Sequence, residues 1–365
     1  MKLTKKLTGL LVTLLVFLVI NAYSAESVIY IQDGAIDELM VPVLLSTMDN
    51  VKLEGIVVVD GDCWAFPTAE SQWKINSLIS LDVPLGISKA EGVNPFPPKY
   101  RNDCLAVNAL DILNPPGTKD NWKVYDGEEL IAGIIKKATQ PVTILLNCGA
   151  TTLVTVLKKH PDLQKNISRV IWMGGAIAPN VGNVVYPPVG TGGKHYYCEW
   201  NMYWDPSDET GAGWLLKNAV FPIVLFPLDI TDSFPLRFQQ KPPSYPKDPT
   251  AVAFHDKLAD QAKLYKYSKI VSACYAIEYD NTGNVFYCLW DTVTAVYIAH
   301  PEFFKMKNYD IKIVSSGGLG RVGNLLPEGH LITGKGGKKI QVAVGMADGK
   351  KISDVYDYMA KQYKR

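Results

Sequence analysis

The sequence predicts an α/β fold: a mostly parallel central sheet covered by helices, with the functional site at the carboxyl ends of the strands. Three observations carry this. Short β-branched runs alternate with longer helical patterns along the chain. The strand-like runs are almost continuously apolar, as in sheets buried on both faces. Polar or glycine-rich residues follow nearly every one of them.

Taken in order, residues 27–32, 53–59, 83–87, 142–147, 170–173 and 222–228 read as buried strands. Helix-like runs at 36–48, 68–81, 128–138, 151–158 and 205–216 lie between them. This β-α-β-α order argues for parallel pairing. Residues 92–121, rich in Pro and Asn, carry no secondary-structure signal and are expected to form a binding loop or lid. Beyond Tyr265 the pattern loosens. A helix-like run opens at 289–291 and reaches 299, residues 309–314 and 340–344 look like late strands, and a last helix starts at Ile352. No linker-like break divides residues 25–365, which read as one catalytic domain.

The 365 residues carry 37 basic and 36 acidic side chains, so no basic field points to a nucleic-acid partner. Apolar residues at 47% and charged ones at 20% exclude a disordered or collagen-like chain. At the start, Lys2, Lys5 and Lys6 precede an apolar run of 14 residues, Leu7 to Ile20, and the small residues Ala22, Ser24 and Ala25 follow. This is the pattern of a secretory signal peptide over residues 1–24, and the run is short of the roughly 20 residues that span a bilayer. Cleavage would remove three lysines and turn +1 into −2. The mature protein is therefore expected to be secreted or periplasmic, with no stable membrane partner.

Six cysteines (Cys63, Cys104, Cys148, Cys198, Cys274, Cys288) form no CxxC motif and no zinc-ligand spacing. In an oxidising compartment they could pair, or they could be buried thiols; spacing alone leaves both open.

No GxGxxG follows the first strand and no GxxxxGK[ST] occurs, which disfavours dinucleotide and Walker-type phosphate sites. The strand ends instead carry Asp33-Gly34-Ala35-Ile36-Asp37-Glu38, Asp60-Gly61-Asp62, Cys148-Gly149, Gly174-Gly175 and Asp229-Ile230-Thr231-Asp232. Asp33, Asp37 and Glu38 bracket a tight turn and a helix start. Acids placed so can converge on a hard cation through oxygen ligands, or simply cap the helix and favour its dipole.

Several motifs, in order and spacing, resemble the nucleoside hydrolases, calcium-dependent enzymes that split ribonucleosides into base and ribose. They are Asp33-Gly34-x-x-Asp37-Glu38, Met173-Gly174-Gly175-Ala176, Gly182-Asn183, Glu199-Trp200-Asn201-Met202-Tyr203-Trp204-Asp205-Pro206 and Trp290-Asp291. The chain is most similar to the purine-specific, inosine-adenosine-guanosine-preferring class. The broad-specificity classes usually carry Phe in the Glu-Trp-Asn motif and His at position 290, and Val93-Asn94-Pro95-Phe96-Pro97 looks like the purine class's active-site loop. The resemblance implies a Rossmann-like sheet, purine nucleosides as substrates, Ca²⁺ as cofactor and a homodimer or other homo-oligomer.

Carried over by residue, the resemblance implies that Asp33, Glu38, Asp291 and the backbone carbonyl of Cys148 hold Ca²⁺, with Asp33 also the general base. It implies that Asp37, Asp62, Asn183, Glu199 and Asn201 bind the ribose. Trp290, Trp200 and Tyr100 would stack on the base. The chemistry is coherent: oxygen ligands suit Ca²⁺, a cation lowers the pKa of its water, and carboxylates stabilise an oxocarbenium-like state. None of His160, His195, His255, His300 and His330 falls in a matching motif. Aromatic stacking on a protonating purine is left as the means of leaving-group activation, worth about 0.5–2 kcal/mol.

Four positions depart from the family. Ile31 replaces a supporting Asp, Ala35 replaces Asn, Tyr100 stands where the purine class can present Trp, and Glu38 replaces a bidentate Asp. The longer Glu38 is expected to loosen the metal site. None of these removes the base or the ribose clamp, so an active enzyme is favoured over a non-catalytic nucleoside- or ribose-binding relative.

Overall fold

In the computed structural model, β1 (Glu26–Gln32) sends Val28 and Tyr30 into one hydrophobic cluster and Ile29 and Ile31 into another. That period-two alternation, buried on both sides, is what a central strand between two helical layers requires. The structure describes residues 25–96, 101–116, 122–186, 196–236, 249–280, 287–315, 320–322 and 324–365. The expected signal peptide, Tyr100 and His195 lie outside the described residues.

From β1 the chain runs through α1 (Ile36–Leu45), β2 (Val51–Val58), α2 (Ala65–Leu78), β3 (Leu85–Ile87), α3 (Asp103–Asn108), β4 (Tyr125–Asp126) and α4 (Gly127–Lys137). It continues with β5 (Val142–Asn147), α5 (Thr151–Lys159), β6 (Ile167–Met173), β7 (Val184–Tyr186), β8 (Tyr196–Cys198), α6 (Trp200–Trp204), α7 (Ala212–Asn218), β9 (Ile223–Phe226) and α8 (Leu228–Thr231). The last third holds α9 (Pro249–Gln261), α10 (Lys266–Asp280), α11 (Thr292–Ala299), β10 (Phe304–Ile313), β11 (Gly320–Val322), β12 (Asn324–Leu326), β13 (Leu331–Thr333), β14 (Lys338–Met346) and α12 (Ile352–Gln362).

Ten strands form one sheet in the order β13-β10-β14-β9-β6-β5-β1-β2-β3-β4. Every pair from β14 to β4 is parallel, and only β10 runs antiparallel to its neighbours. The mostly parallel sheet expected from the sequence is therefore present. From β1 the chain builds outward through β2, β3 and β4, then returns to place β5 on the other side. The carboxyl ends of β1 and β5 thus flank the point where strand order reverses, where open α/β sheets bind ligands.

The helices divide with the two clusters. Residues of α1, α2, α9, α10, α11 and α12 pack on the Tyr30 face, and those of α4, α5 and α7 on the Ile29 face. At the far end of α1, Arg365 donates from Nη2 to the carbonyl of Thr47 at 2.7 Å, tying the last helical segment to the amino side of the sheet. Among the described residues no helix is long and apolar enough to cross a membrane. The six cysteines are all buried and none is in a disulfide.

Several elements differ from the sequence reading. Residues 92–121 contain α3 and a 3-10 turn at Asp111–Leu113, too short to show a helical period. The run read as one helix over 205–216 is a break at 205–211 followed by the start of α7, with α6 ending just ahead of it at Trp204, because the Asp205 carboxylate spends itself on Ser207, Thr151 and Thr210 instead of continuing a helix. The loosened pattern beyond Tyr265 conceals α10. There Ile270, Val271, Cys274 and Tyr275 share the buried face with Ser268 and Glu278, so polar residues interrupt the apolar stripe that would have marked the helix.

Candidate functional site

Asp33 leaves β1 into a turn that only small residues can form. Gly34 sits at φ +98°, and a Cβ there would meet Thr68 Oγ1 at 2.4 Å and Cys63 Cβ at 2.8 Å. Across the turn, a Cβ on Gly61 would lie 2.1 Å from Asp33 Oδ2, so the loop after β2 is glycine where it meets the carboxylate. The Asp62 amide donates to that carboxylate. Burial, and next the Glu199 charge, push the Asp33 pKa to about 7, against the Asp62 hydrogen bond and the nearby Arg101 cation.

Glu38 does two things at once. At the third position of α1 its Oε2 accepts from the Asp33 amide at 3.1 Å, the Ala35 amide at 2.7 Å and the Gly34 amide, closing the turn. Its other oxygen, Oε1, is buried with no partner. The capping reading of the acidic run is thus realised by one oxygen of Glu38, which leaves the other without a partner. With the extra methylene, one oxygen binds the turn while the other has no partner. The backbone is fixed as well. Pro42, inside α1, has no amide to give the Glu38 carbonyl one turn back, and the Tyr30 hydroxyl donates to that carbonyl at 3.1 Å.

Asp37 is fully buried, and the protein occupies both its oxygens. Oδ1 accepts from the Tyr287 hydroxyl at 2.9 Å; Oδ2 accepts from the amides of Asp291 at 2.8 Å and Thr292 at 3.2 Å. It anchors the start of α11 to α1. Asp291 is thereby aimed. Its carbonyl accepts from Asn147 Nδ2 at 3.2 Å and Thr294 Oγ1 at 2.6 Å, and its Oδ1 is buried with no partner.

Glu199 caps α6. Oε1 accepts from the Asn201 amide at 2.8 Å, and Oε2 from the amides of Gly175 at 2.7 Å and Met202 at 3.1 Å. Burial lifts its pKa to about 7 despite these bonds. Asn201 Nδ2 donates to the Met173 carbonyl at 3.3 Å, and Asn183 Oδ1 accepts from the Trp200 amide at 3.1 Å. The Glu-Trp-Asn motif thus binds back to the Gly174-Gly175 strand end.

Trp200 lies against Phe96 at 5.1 Å and meets Tyr203 edge-on at 5.5 Å; its Nε1 is buried with no partner. Trp290 packs on Tyr287 at 4.9 Å and donates from Nε1 to Asp232 Oδ1 at 2.7 Å. The Cys148 carbonyl accepts from Trp172 Nε1 at 3.0 Å. Asp62, half-buried, stands in the Gly61 loop.

Sequence reasoning missed Tyr287, Asp232 and Arg101. Asp232 was within reach, since it follows a strand end; Tyr287 and Arg101 carry no local signal because their partners are distant in sequence.

The electrostatics are one-sided. Burial raises Glu38 well above the carboxylate range, followed by the charges of Asp33, Asp291, Asp37 and Asp62. Asp291 is raised by burial and then by Asp37, Asp33, Glu199 and Asp62. Among the described residues no three His, Cys, Asp or Glu groups stand as a ready metal cage. The donor set still suits a hard cation: all oxygen, crowded with like charge, and with its two orphaned carboxylate oxygens, on Glu38 and Asp291, both among the expected ligands.

Residues 28–353 match the family model of the inosine-uridine preferring nucleoside hydrolases. Among curated proteins, a pyrimidine-specific ribonucleoside hydrolase of Salmonella typhimurium is 33% identical over 103 residues, 28% of this chain and 28% of that protein's length. Among solved structures, the inosine-uridine preferring nucleoside hydrolase of Bacillus anthracis superposes with a TM-score of 0.74 at 24% identity, covering 93% of this chain and 99% of that one. A purine-preferring ribonucleoside hydrolase of Gardnerella vaginalis reaches 0.67 at 16% identity with the same coverage of both chains. An inosine-guanosine nucleoside hydrolase, again with that coverage, reaches 0.70 at 15%.

Proposed function

The chain belongs to the inosine-uridine preferring nucleoside hydrolase family, and from that premise we propose that it hydrolyses the N-glycosidic bond of purine ribonucleosides to base and ribose, with Ca²⁺ as cofactor. The observation that carries this reading is the buried carboxylate cluster at the β1 and β5 ends, whose partnerless oxygens belong to Glu38 and Asp291. Asp33, the free oxygens of Glu38 and Asp291, and the Cys148 carbonyl are the groups that would hold the cation. Bound there, Ca²⁺ supplies a water of lowered pKa.

Asp33 would accept the proton of the attacking water at its carboxylate. Asp62, Asn183, Glu199 and Asn201 orient the ribose hydroxyls, Glu199 through a carboxylate already fixed by three amides. The surrounding negative charge favours the oxocarbenium-like state over the neutral ground state. Trp290, held by Asp232, and Trp200, seated on Phe96, support a stacking site that prefers a purine. A pyrimidine preference is the second reading, favoured by the partial match to a pyrimidine-specific relative. A secreted or periplasmic location and a homo-oligomeric state belong to the same proposal, and amino-terminal sequencing and sedimentation check them.

The test is a hydrolysis assay on inosine, adenosine, guanosine, uridine and cytidine, with and without chelator. Purines are expected to exceed pyrimidines by about a hundredfold in kcat/KM, or ~2.7 kcal/mol, and chelation to abolish turnover until Ca²⁺ is restored. Equal rates on uridine and inosine would overturn the purine preference. Full activity in verified metal-free protein would overturn the calcium requirement. Saturable binding without release of base would make this a non-catalytic relative.

A further inference from the structure

Two of the six buried cysteines face each other beside the site. Cys63 lies in the loop after β2 and Cys104 in the first turn of α3, where Cys104 Sγ stands 3.9 Å from the carbonyl of Trp64, the residue after Cys63, and 3.3 Å from the Arg101 carbonyl. Both have zero exposure. The remaining four stand elsewhere: Cys148 after β5, Cys198 at the end of β8, Cys274 in α10 and Cys288 ahead of α11. We propose that Cys63 and Cys104 form a disulfide that staples the Asp33-supporting loop to α3.

The backbone around the pair makes this more than a chance approach. The Cys63 amide donates to the Asp33 carbonyl at 2.8 Å, and the Gly61 amide to the Cys63 carbonyl at 3.3 Å, so Cys63 is built into the turn that seats the Asp33 carboxylate. On the other side, the Cys104 carbonyl accepts from the Ser71 hydroxyl at 3.1 Å, fixing α3 to α2. Arg101, just before α3, lies over the Trp64 ring at 4.6 Å, and Trp64 directly follows Cys63. A covalent link here would join two segments about 40 residues apart, the size of loop for which cross-linking noticeably restricts the unfolded chain.

The chemistry balances with a small-molecule disulfide as oxidant. The Cys104 thiolate attacks one of its sulfurs and releases one thiol. Cys63, losing its proton, then attacks the Cys104 sulfur and releases the second thiol. Two electrons and two protons pass from the cysteines to the oxidant.

The test uses the full chain, refolded in a mixture of reduced and oxidised glutathione, alkylated and digested without reduction. A peptide linking Cys63 to Cys104 is expected, together with four alkylated cysteines. Reduction should then lower the melting temperature by roughly 5 °C. The same treatment should leave Cys63→Ala and Cys104→Ser unshifted, so that either variant suffices if the other fails to fold. Six alkylated cysteines in the oxidised wild type, or a linked peptide joining a different pair, would overturn the staple whatever the enzyme's substrate proves to be.

Discussion

The two ends of β1 hold acids in opposite circumstances. At its amino end Glu26 is matched: Arg169 Nη2 lies 2.8 and 3.0 Å from its two oxygens, Nε donates at 3.2 Å, and the Thr143 hydroxyl adds a fourth bond. At its carboxyl end Asp33, Asp37, Glu38, Asp62, Glu199 and Asp291 crowd one another, and Arg101 is the cation that acts on Asp33. An acid kept for structure has its charge answered by the protein. Acids left raised, buried and partly unbonded are a cost that folding alone does not explain, and a ligand that binds the folded state recovers it.

The largest contrast is expected in turnover. Asp33→Asn should reduce kcat by at least about a thousandfold, whereas Glu26→Gln should leave kcat within about twofold. Steady-state kinetics on inosine decides this, and a small loss for Asp33→Asn would move the general base to another group. Glu38→Asp comes next. The shorter side chain cannot both close the turn and present a free oxygen, so calorimetry should show Ca²⁺ affinity falling about tenfold or more, or ~1.4 kcal/mol. Unchanged affinity would mean that the turn bonds are dispensable.

Stability against pH sharpens the comparison without substitution. Asp33 and Glu199 are raised to about 7 and Asp37 to about 6, chiefly by burial. Groups with folded pKa above the unfolded value near 4 bind more protons in the folded state, so stability falls as pH rises between the two. The metal-free protein should therefore melt roughly 5 °C or more lower at pH 8 than at pH 5, and saturating Ca²⁺ should flatten that slope. A metal-free melting temperature that rises over this range would contradict the crowding. Tyr287→Phe removes two bonds to Asp37, one to its carboxylate and one from its amide, and should lower kcat/KM about tenfold without touching the substrate. The smallest effect belongs to the matched end: Arg169→Leu should cost about 1–2 kcal/mol in denaturant unfolding and leave kinetics unaltered.

The sequence made the strands legible because burial on both faces leaves continuous apolar runs. It made Asp33, Glu38, Glu199, Asn201, Trp290 and Asp291 legible because they sit in short strings at strand ends. What stayed hidden depends on partners far along the chain. The bonds that Asp37 makes to Tyr287 and to the start of α11 join residues about 250 apart, and no local pattern announces them. Glu38 looks like an imperfect Asp until three turn amides account for its length. Helix α10 was missed because its buried face carries Ser268 and Glu278 among the apolar residues, which breaks the stripe that would identify it.

The Arg365 bond to Thr47 has a practical side. It fixes the chain's last residue at the end of α1 opposite Asp33, and a ten-residue helix separates the two by about 15 Å. A bead, electrode or fusion partner attached at that residue would hang from the back of the molecule. Nucleosides could then reach the cleft in an immobilised preparation as freely as in solution.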